Sequence, residues 1–552
     1  MSDRTRKAYA AYQQGEYIVA REILAGASDA NDLHLRGLAE QKCGDLNAAV
    51  ASLSAAIAIM PGNHEIHNNL GLTYRKLGQY QAAVGSFERA LKLSPAFVSA
   101  QVSLARTCLD LGQWERAYAG YAALTQVRPG DVGDAFGFAS AGLEIGEIEQ
   151  AGAILNALIQ RQDRADYRFM RGRVNLELQN LTQALEDFET AHKVLKTKVT
   201  FNGLANLVWM MGDDVGFEDL LNQSRETLPY DVAESWLLAG YAAKAQDVMS
   251  DKRLDGARGY VLKARIHEAL GDFEAQIESA KQALELSPND EMATTQLVIG
   301  LFSCGRNTEA GRHIHHMLAE APESQHWLAY AYTAWRLGDP THDALFRDSA
   351  SFVRQYELTI PDGDWSADGF YQALSSELIM LRRFQREPLN QSFKGGAQSA
   401  RDLSRIKTGA IGAYVSSLDA PIQRYLREIG AFENSPAMRL DESEGYEFSG
   451  MWSIEMKPGG RHVNHIHPAG WISSAFYVAV PESVGVSTDK QGWFHFGQPP
   501  HSSHPALEPA GWVEPIPGKL VLFPSWMWHG TTSFCSDERR LTVPFDLIPG
   551  RS

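Results

Sequence analysis

The sequence contains few cysteines and no long apolar run. Its 552 residues include four cysteines, Cys43, Cys108, Cys304 and Cys535. They lie too far apart for a Cys-x-x-Cys zinc site or a disulfide framework, which fits a reducing compartment. No window approaches the ~18 consecutive apolar residues of a membrane-spanning helix, and no signal peptide is evident at the N-terminus. We therefore expect a cytoplasmic protein that does not use a membrane as a partner.

Basic side chains are also in short supply. The chain has 51 basic and 67 acidic residues, a formal net charge of -16. Nucleic acids and anionic membranes both require a basic face, so neither is expected as a main partner. Hydrophobic residues make up 44% of the chain and charged residues 21%, which is typical of globular proteins and excludes a disordered or collagen-like chain.

These averages conceal an uneven chain. Residues 1–345 hold 32 basic and 44 acidic side chains, a net charge of -12, whereas residues 346–552 hold 19 and 23, a net charge of -4. The last 102 residues contain seven of the 17 histidines, six of the 12 tryptophans and 12 of the 23 prolines. We therefore predict two domains, 1–345 and 346–552.

The first domain repeats at a fixed period. The residues of one copy are Gly37, Ala49, Leu53, Ala56 and Pro61, and the equivalent residues of the next copy are Gly71, Ala83, Phe87, Ala90 and Pro95. The clearest copy, 64–95, predicts a helix, a turn near Gly78, a second helix and a terminating proline. This pattern resembles the tetratricopeptide repeat (TPR), and we predict roughly nine or ten helix pairs. Such an array either stacks and links subunits or presents a concave surface to a peptide or protein.

The second domain changes from helical to alternating patterns. Two helices are predicted, at 366–384 and 404–429, and the segment 388–403 between them is either a surface loop or a loop over a pocket. Short alternating runs bounded by glycine and proline predict strands at 448–458, 471–481, 493–497, 517–525 and 541–549. Such strands without helical signal indicate an antiparallel sandwich or barrel, with its core at about 444–549.

Three histidines lie at the ends of these strands. His465 and His467 alternate with Ile466 and so point the same way in an extended chain, and His529 follows at the end of a later strand. Two ligands from one strand end and one from another give a three-ligand metal site with open positions, as redox iron chemistry requires. Further along, Arg540 and Thr542 share one face of a strand, where a guanidinium and a hydroxyl form a receptor for a carboxylate.

These motifs resemble the iron(II)- and 2-oxoglutarate-dependent oxygenases, in particular the 2-oxoglutarate oxygenase branch found attached to TPRs. The resemblance covers about 370–552 and is carried by HIHPAGW, PGKLVLFPSWMWHGT and RRLTVPFD. It implies a double-stranded β-helix, a jelly-roll-like barrel. His465 and His529 match the first and last metal ligands, and Arg540 and Thr542 match the residues that bind 2-oxoglutarate. Tyr477 is a further candidate contact to that co-substrate.

One position departs from the family pattern of His-x-Asp/Glu. Here the sequence is His465-Ile466-His467. The second ligand is therefore His467, or it is missing and replaced by water or substrate, or it is an acid from elsewhere such as Asp489. A neutral third ligand would leave the site more positive and alter iron affinity.

Three functions follow from this interpretation. The resemblance implies that Fe(II), 2-oxoglutarate and O2 support hydroxylation of an unactivated C–H bond, with succinate and CO2 as co-products. The first hypothesis is a protein or peptide hydroxylase to which the TPR array delivers a polypeptide. The second is an oxygenase of a small metabolite, with the repeats used for assembly. The third is a binding protein whose barrel has lost catalysis, as the missing acidic ligand would allow.

Overall fold

The computed structural model describes residues 2–250, 256–359, 365–381, 384, 386–399, 402–430, 445–485 and 489–550. The chain forms two compact units, Met1–Leu195 and Lys196–Ser552. Among the described residues, no helix combines the length and the apolar character needed to cross a membrane. All four cysteines are free thiols.

The first unit consists of helices in which each packs against the next. They are α1 (Asp3–Gln13), α2 (Tyr17–Ile23), α3 (Ala30–Cys43), α4 (Leu46–Ile59), α5 (His64–Lys76), α6 (Tyr80–Leu93), α7 (Val98–Asp110), α8 (Trp114–Val127), α9 (Val132–Ile145), α10 (Ile148–Arg161), α11 (Ala165–Glu177) and α12 (Leu181–Leu195). Gly71 shows why small residues recur, because a Cβ atom there would lie 2.6 Å from the ring of Phe87. The turn after α5 uses Gly78 with a φ of 75°, a conformation that glycine adopts readily.

The second unit opens with further helices of the same kind. They are α13 (Lys198–Met210), α14 (Asp214–Ser224), α15 (Pro229–Leu238), α16 (Ala242–Ser250), α17 (Ala257–Leu270), α18 (Phe273–Leu286), α19 (Glu291–Ser303), α20 (Asn307–Glu320) and α21 (Gln325–Arg336). The described part of 1–336 thus holds ten helix pairs and one additional helix, in line with the predicted number of repeats.

After residue 340 the chain forms both helices and strands. The helices are α22 (Asp343–Phe346), α23 (Ala367–Met380), α24 (Gly409–Ser417), α25 (Asp419–Gly430) and α26 (Glu482–Gly485). The strands are β1 (Arg354–Glu357), β2 (Phe393–Gln398), β3 (Tyr446–Met451), β4 (Ile454–His462), β5 (Ile472–Ala479), β6 (Phe494–Phe496), β7 (Gly511–Val513), β8 (Lys519–Pro524), β9 (His529–Thr531), β10 (Arg540–Thr542) and β11 (Phe545–Pro549).

The strands form an antiparallel sheet domain. The larger sheet has the order β1-β8-β5-β10-β4-β2, and β11 joins it by pairing with β3 and β5. The smaller sheet has the order β7-β6-β9. An isolated bridge between His465 and His529 lies outside the named strand pairs. A helical TPR solenoid followed by an antiparallel β-domain of the jelly-roll type confirms the predicted fold class.

Several predicted boundaries differ from the structure. The helix predicted at 404–429 is broken at Leu418 into α24 and α25. The run 448–458 is two strands, and 541–549 is interrupted at Pro544, which has no backbone N–H to donate to a neighbour. Four short strands, β1, β2, β7 and β9, were not predicted. Residues 382–383 of the predicted helix 366–384 lie outside the described residues.

One hydrophobic core joins the last repeats to the β-domain. It runs from Ala264 to Leu547 and includes buried side chains of α19, α21, β5 and β8. The indole N–H of Trp528 donates to the carbonyl of Ala329 at 3.0 Å and to the hydroxyl of Thr333 at 2.9 Å, both in α21. The residue next to His529 is therefore fixed by the last repeat. The predicted domain boundary at 345 follows the change in secondary structure and stays a prediction.

Candidate metal centre

Backbone hydrogen bonds bring the three histidines together. The N–H of His465 donates to the carbonyl of His529 at 2.9 Å, and the N–H of His529 donates back at 3.1 Å. The N–H of His467 donates to the carbonyl of Ser525 at 3.0 Å. These bonds connect the segment after β4 with the segment from Ser525 to the start of β9, so that candidate ligands from distant parts of the chain share one site.

Each imidazole is oriented by what its Nδ1 atom meets. His465 Nδ1 lies 2.8 Å from the carbonyl of Val463, and His529 Nδ1 lies 2.9 Å from the carbonyl of Met527. His467 Nδ1 lies 2.6 Å from Oδ2 of Asp546. Carbonyls and ionised carboxylates accept but do not donate, so Nδ1 carries the proton in all three rings. The Nε2 lone pairs are left free.

The three free ligand atoms converge on one point. They all lie within 4.8 Å of one another, and the Nε2 atoms of His465 and His467 are 3.1 Å apart. Two lone pairs at this distance repel unless a cation lies between them. Two nitrogen ligands about 2.1 Å from one ion, at right angles, would be about 3.0 Å apart. The donor set therefore fits a metal ion.

Electrostatics keep these rings in the form that binds metal. Burial and the neighbouring His467 lower the pKa of His465 to about 3. Burial also lowers the pKa of His529 well below its ordinary value. Neutral imidazole is the ligand form, so no proton has to be displaced from these two rings near pH 7.

The acids near the site differ from the alternative named from the sequence. Asp489 is not a member of the converging group in the described residues. Asp546, which the sequence interpretation missed, contacts His467 instead. The sequence contains a weak indication of this role. Asp546 lies an even number of residues after Arg540 and Thr542, so its side chain would point to the same side of an extended chain.

Arg540, Thr542 and Tyr477 line the same cavity as the three histidines. The space among these side chains, including the part open to solvent, is about 590 Å³. Arg540 is 1% exposed, and its Nη2 donates to the carbonyl of Gly492 at 3.0 Å. Its Nε and the hydroxyl of Tyr477 have no hydrogen-bond partner in the part of the chain that the structure describes. Thr542 lies two residues along the same strand, as predicted for a shared face.

Burial disfavours the charge of Arg540 and of an ionised Tyr477. It lowers the pKa of Arg540, and it raises the pKa of Tyr477 to about 12. No carboxylate of the described residues forms an ion pair with Arg540. A buried guanidinium without an anion is costly, so an anionic ligand in the cavity would compensate it. The dicarboxylate 2-oxoglutarate fits this requirement.

The aromatic side chains of the β-domain divide between the cavity lining and the hydrophobic core. Trp452, Phe393 and Phe494 line the cavity. Phe476, Phe523, Trp526 and Trp528 lie in the core, and the half-buried Trp471 packs against it. Gln391 and Ser392, from the segment 388–403, also line the cavity. This observation favours the second of the two interpretations of that segment, a loop over a pocket.

A larger cleft adjoins the cavity and shares lining residues with it. One wall is formed by repeat helices, with Leu237, Arg265 and Leu270 among its residues. The other wall is the rim of the β-domain, including Trp452 and Pro468. His465 and His467 lie where the cleft meets the cavity, since both line both spaces.

Comparison with known families agrees with this geometry. Residues 450–546 match a family model described as "Putative 2OG-Fe(II) oxygenase". Residues 37–78, 64–97 and 257–290 match models of the tetratricopeptide repeat. The chain therefore carries N-terminal tetratricopeptide repeats and a C-terminal domain of the 2OG-Fe(II) oxygenase family, as its motifs predicted. No curated protein matches the chain significantly.

Similar solved structures belong to repeat proteins. A TPR protein from Parabacteroides merdae is 19% identical to this chain, with a TM-score of 0.35. The alignment covers 49% of this chain and 98% of that protein. A thermophilic TPR protein of Thermus thermophilus is 20% identical, with a TM-score of 0.25. Here the alignment covers 43% of this chain and 98% of that protein.

Proposed function

We propose that the protein is an Fe(II)- and 2-oxoglutarate-dependent dioxygenase that hydroxylates a side chain of a polypeptide. The observation that carries the proposal is the pairing, in one cavity, of three converging imidazoles with a buried arginine that has no anionic partner among the described residues. A metal ion and a carboxylate ligand account for both features together. The oxygenase-family match over the same residues supports this assignment.

The residues that line the cavity have different proposed roles. His465, His467 and His529 would hold Fe(II), which with bound 2-oxoglutarate supplies the chemistry that converts R–H and O2 into R–OH, succinate and CO2. Arg540 and Thr542 would bind the distal carboxylate and so orient the co-substrate toward the metal. Tyr477 lies beside Arg540 with its hydroxyl free to contact the same group. Apolar side chains such as Phe494 keep bulk water out.

The cleft supports a polypeptide as the substrate. It is far larger in volume than the cavity, and repeat helices form one of its walls. TPRs generally hold peptides or proteins on such surfaces. A chain lying in the cleft could place one side chain at the mouth of the cavity, where His465 and His467 lie.

The co-substrate assignment is tested with a neighbouring pair of arginines. Arg540→Met keeps the volume of the buried side chain and removes its charge, whereas the control Arg539→Met removes an exposed arginine that pairs with Glu455 at 2.6 Å. We expect Arg540→Met to weaken 2-oxoglutarate binding by about 100-fold or more, since charge-assisted hydrogen bonds contribute roughly 1.5–3 kcal/mol each. Calorimetry with Mn(II)-loaded protein measures binding, and succinate release with Fe(II) and ascorbate measures turnover.

Equal loss in both arginine variants would contradict this role of Arg540. If the unaltered protein binds neither metal nor 2-oxoglutarate and releases no succinate, the enzyme assignment is wrong and the non-catalytic binding protein replaces it.

The polypeptide assignment is tested by crosslinking from the cleft. A photoreactive side chain at Leu270, on the cleft wall, is compared with one at Leu286, which is equally apolar and 58% exposed but does not line the cleft. We expect proteins crosslinked at 270 and not at 286, and we expect them to gain one oxygen atom only when Arg540 is intact. If crosslinks do not differ and a low-molecular-mass extract stimulates succinate release instead, the substrate is a small metabolite.

A further inference from the structure

We propose that Asp546, acting through His467, supplies the negative charge that the acidic ligand provides in the usual His-x-Asp/Glu motif. The inference rests on the proposed function for the identity of the ion, although metal binding itself is enough to test it. Asp546 is a positioning residue here, because it contacts the ligand His467 and not the ion.

The hydrogen bond between Asp546 and His467 distinguishes this ligand from the other two. His465 and His529 donate from Nδ1 to backbone carbonyls, which are neutral. His467 donates to a carboxylate at 2.6 Å. A carboxylate on the outer nitrogen makes the imidazole a stronger donor to metal and fixes its ring orientation. The three histidines are therefore unequal, and the strengthened one occupies the position of the missing acid.

Both oxygens of Asp546 are engaged. Oδ2 accepts from His467, and Oδ1 accepts from the hydroxyl of Ser473 at 2.7 Å. The Ser473 hydroxyl in turn lies 2.9 Å from that of Ser525, whose carbonyl accepts from the backbone of His467. The carboxylate and its ligand are thus tied into one network, and the direction of the Asp546 side chain is set from both sides.

The fold makes room for this carboxylate in a confined place. Asp546 is 7% exposed, and it pairs with Gly450 on one side and with Ser473 on the other, next to an irregularity in β11. Gly470 packs directly against this network. A Cβ atom added at Gly470 would lie 2.7 Å from the Ser525 hydroxyl and 3.4 Å from Cβ of Asp546. In the described residues, the ion-pair partner of Asp546 is His467.

The charge count explains why the arrangement can replace the family motif. Two histidines and one carboxylate around Fe(II) leave a net charge of +1, and three neutral histidines leave +2. The negative charge of Asp546 brings the net charge of the site back to +1, although the carboxylate is separated from the ion by the imidazole of His467. The acidic charge is therefore kept while the ligand atom changes from oxygen to nitrogen.

The test uses Co(II) alone, with metal-free protein. Asp546→Asn retains an oxygen that accepts from His467 and removes the charge, so the geometry is largely preserved. We expect Co(II) affinity to fall by roughly 10- to 100-fold, the range typical of outer-shell partners of metal ligands, with a shift in the visible absorption of the bound ion. Glu455→Gln removes one charge from β4, where Glu455 pairs with Arg539 and does not line the cavity, and it should leave affinity and spectrum unchanged.

A second background separates charge supply from a structural role. In His467→Asp the ligand is itself an acid, and Asp546 becomes a like charge beside it. There we expect Asp546→Asn to tighten Co(II) binding, the opposite sign to its effect with His467 present. A similar loss in both backgrounds would overturn the proposal in favour of simple structural support, and no loss with His467 present would overturn it outright. Co(II) binding does not depend on 2-oxoglutarate turnover, so a protein without turnover that shows the sign reversal would refute the proposed function alone.

Discussion

At the residue scale, the chemistry depends on which nitrogen of each imidazole carries the proton. The spacing of His465 and His467 places them on one side of an extended chain, but it does not say which ring atom faces the partner histidine. Contacts to Val463, Met527 and Asp546 decide that, because each fixes the Nδ1 proton. The Nε2 atoms are then the free ligand atoms.

The role of His467 leads to the first prediction at this scale. If His467 is the third ligand, His467→Ala lowers Co(II) or Fe(II) affinity by more than about 100-fold, beyond the effect of an outer-shell partner. Calorimetry on metal-free protein measures it. His462→Ala is a suitable control, since His462 lines the same cavity but is not in the converging group. Unchanged affinity in His467→Ala would show that water or substrate takes the third position.

At the scale of elements, the segment 497–510 connects the β-domain with the repeat helices. The N–H of His504 donates to the carbonyl of Phe302 at 3.0 Å, and Arg336 donates to the carbonyl of Gly497 at 2.9 Å. His501 lies between two parallel rings, 5.7 Å from Phe302 and 5.6 Å from Tyr330. This stack buries the imidazole, and its Nε2 has no hydrogen-bond partner among the described residues.

Burial of His501 predicts a loss of stability in acid. It lowers the pKa of His501 to about 4 in the folded protein, against about 6.5 in an unfolded chain. Between these values the unfolded state binds more protons, so the free energy of unfolding falls as the pH falls through this window. His501 alone accounts for a loss of roughly 3 kcal/mol between pH 7 and pH 4.

The variant His501→Phe isolates this contribution. It keeps the aromatic stack without a titrating group, so its denaturant-unfolding free energy should fall less between pH 7 and pH 4 than that of the unaltered protein. The exposed His316→Phe is the control. Identical pH dependence in His501→Phe and the unaltered protein would show that the imidazole is not protonated on unfolding. Some pH dependence is expected to remain, because His495 also has its pKa lowered to about 4 by burial.

At the scale of the whole molecule, the main feature is that the last repeats of the second unit share a core with the β-domain. The cluster that begins at Ala264 and ends at Leu547 contains side chains of the last repeats and of the sheet. Trp528 donates into α21 from the position next to His529. The last repeats are therefore part of the structure that holds the candidate site.

This shared core predicts the behaviour of fragments. A fragment of residues 196–552 retains the whole cluster and should unfold in one cooperative transition. A fragment of residues 346–552 exposes the side chains of Trp526, Trp528 and His501, which pack against α19 and α21, and it should aggregate or unfold at a markedly lower temperature. Size-exclusion chromatography and thermal circular dichroism compare the two. A monomeric 346–552 fragment of equal thermal stability would instead support an autonomous β-domain.

Local pattern was enough for much of the fold. The repeat period predicted the helix pairs, because each pair needs small residues such as Gly71 opposite large ones such as Phe87. Alternation predicted the long strands, and it failed for very short strands such as β7 and β9, which carry too few residues to show a period. The break at Leu418 was also missed, since both halves of that segment are helical.

Patterns along the chain were enough to predict the repeat solenoid and the antiparallel β-domain and to propose residues for a metal and a carboxylate, because periodicity and spacing are local properties of the chain. Only the folded chain shows that Asp546 contacts His467, far away along the chain, and that repeat helices form one wall of the cleft and the rim of the β-domain forms the other. These contacts arise from the burial of a common core between distant segments, and no local pattern encodes which distant segment will be the neighbour.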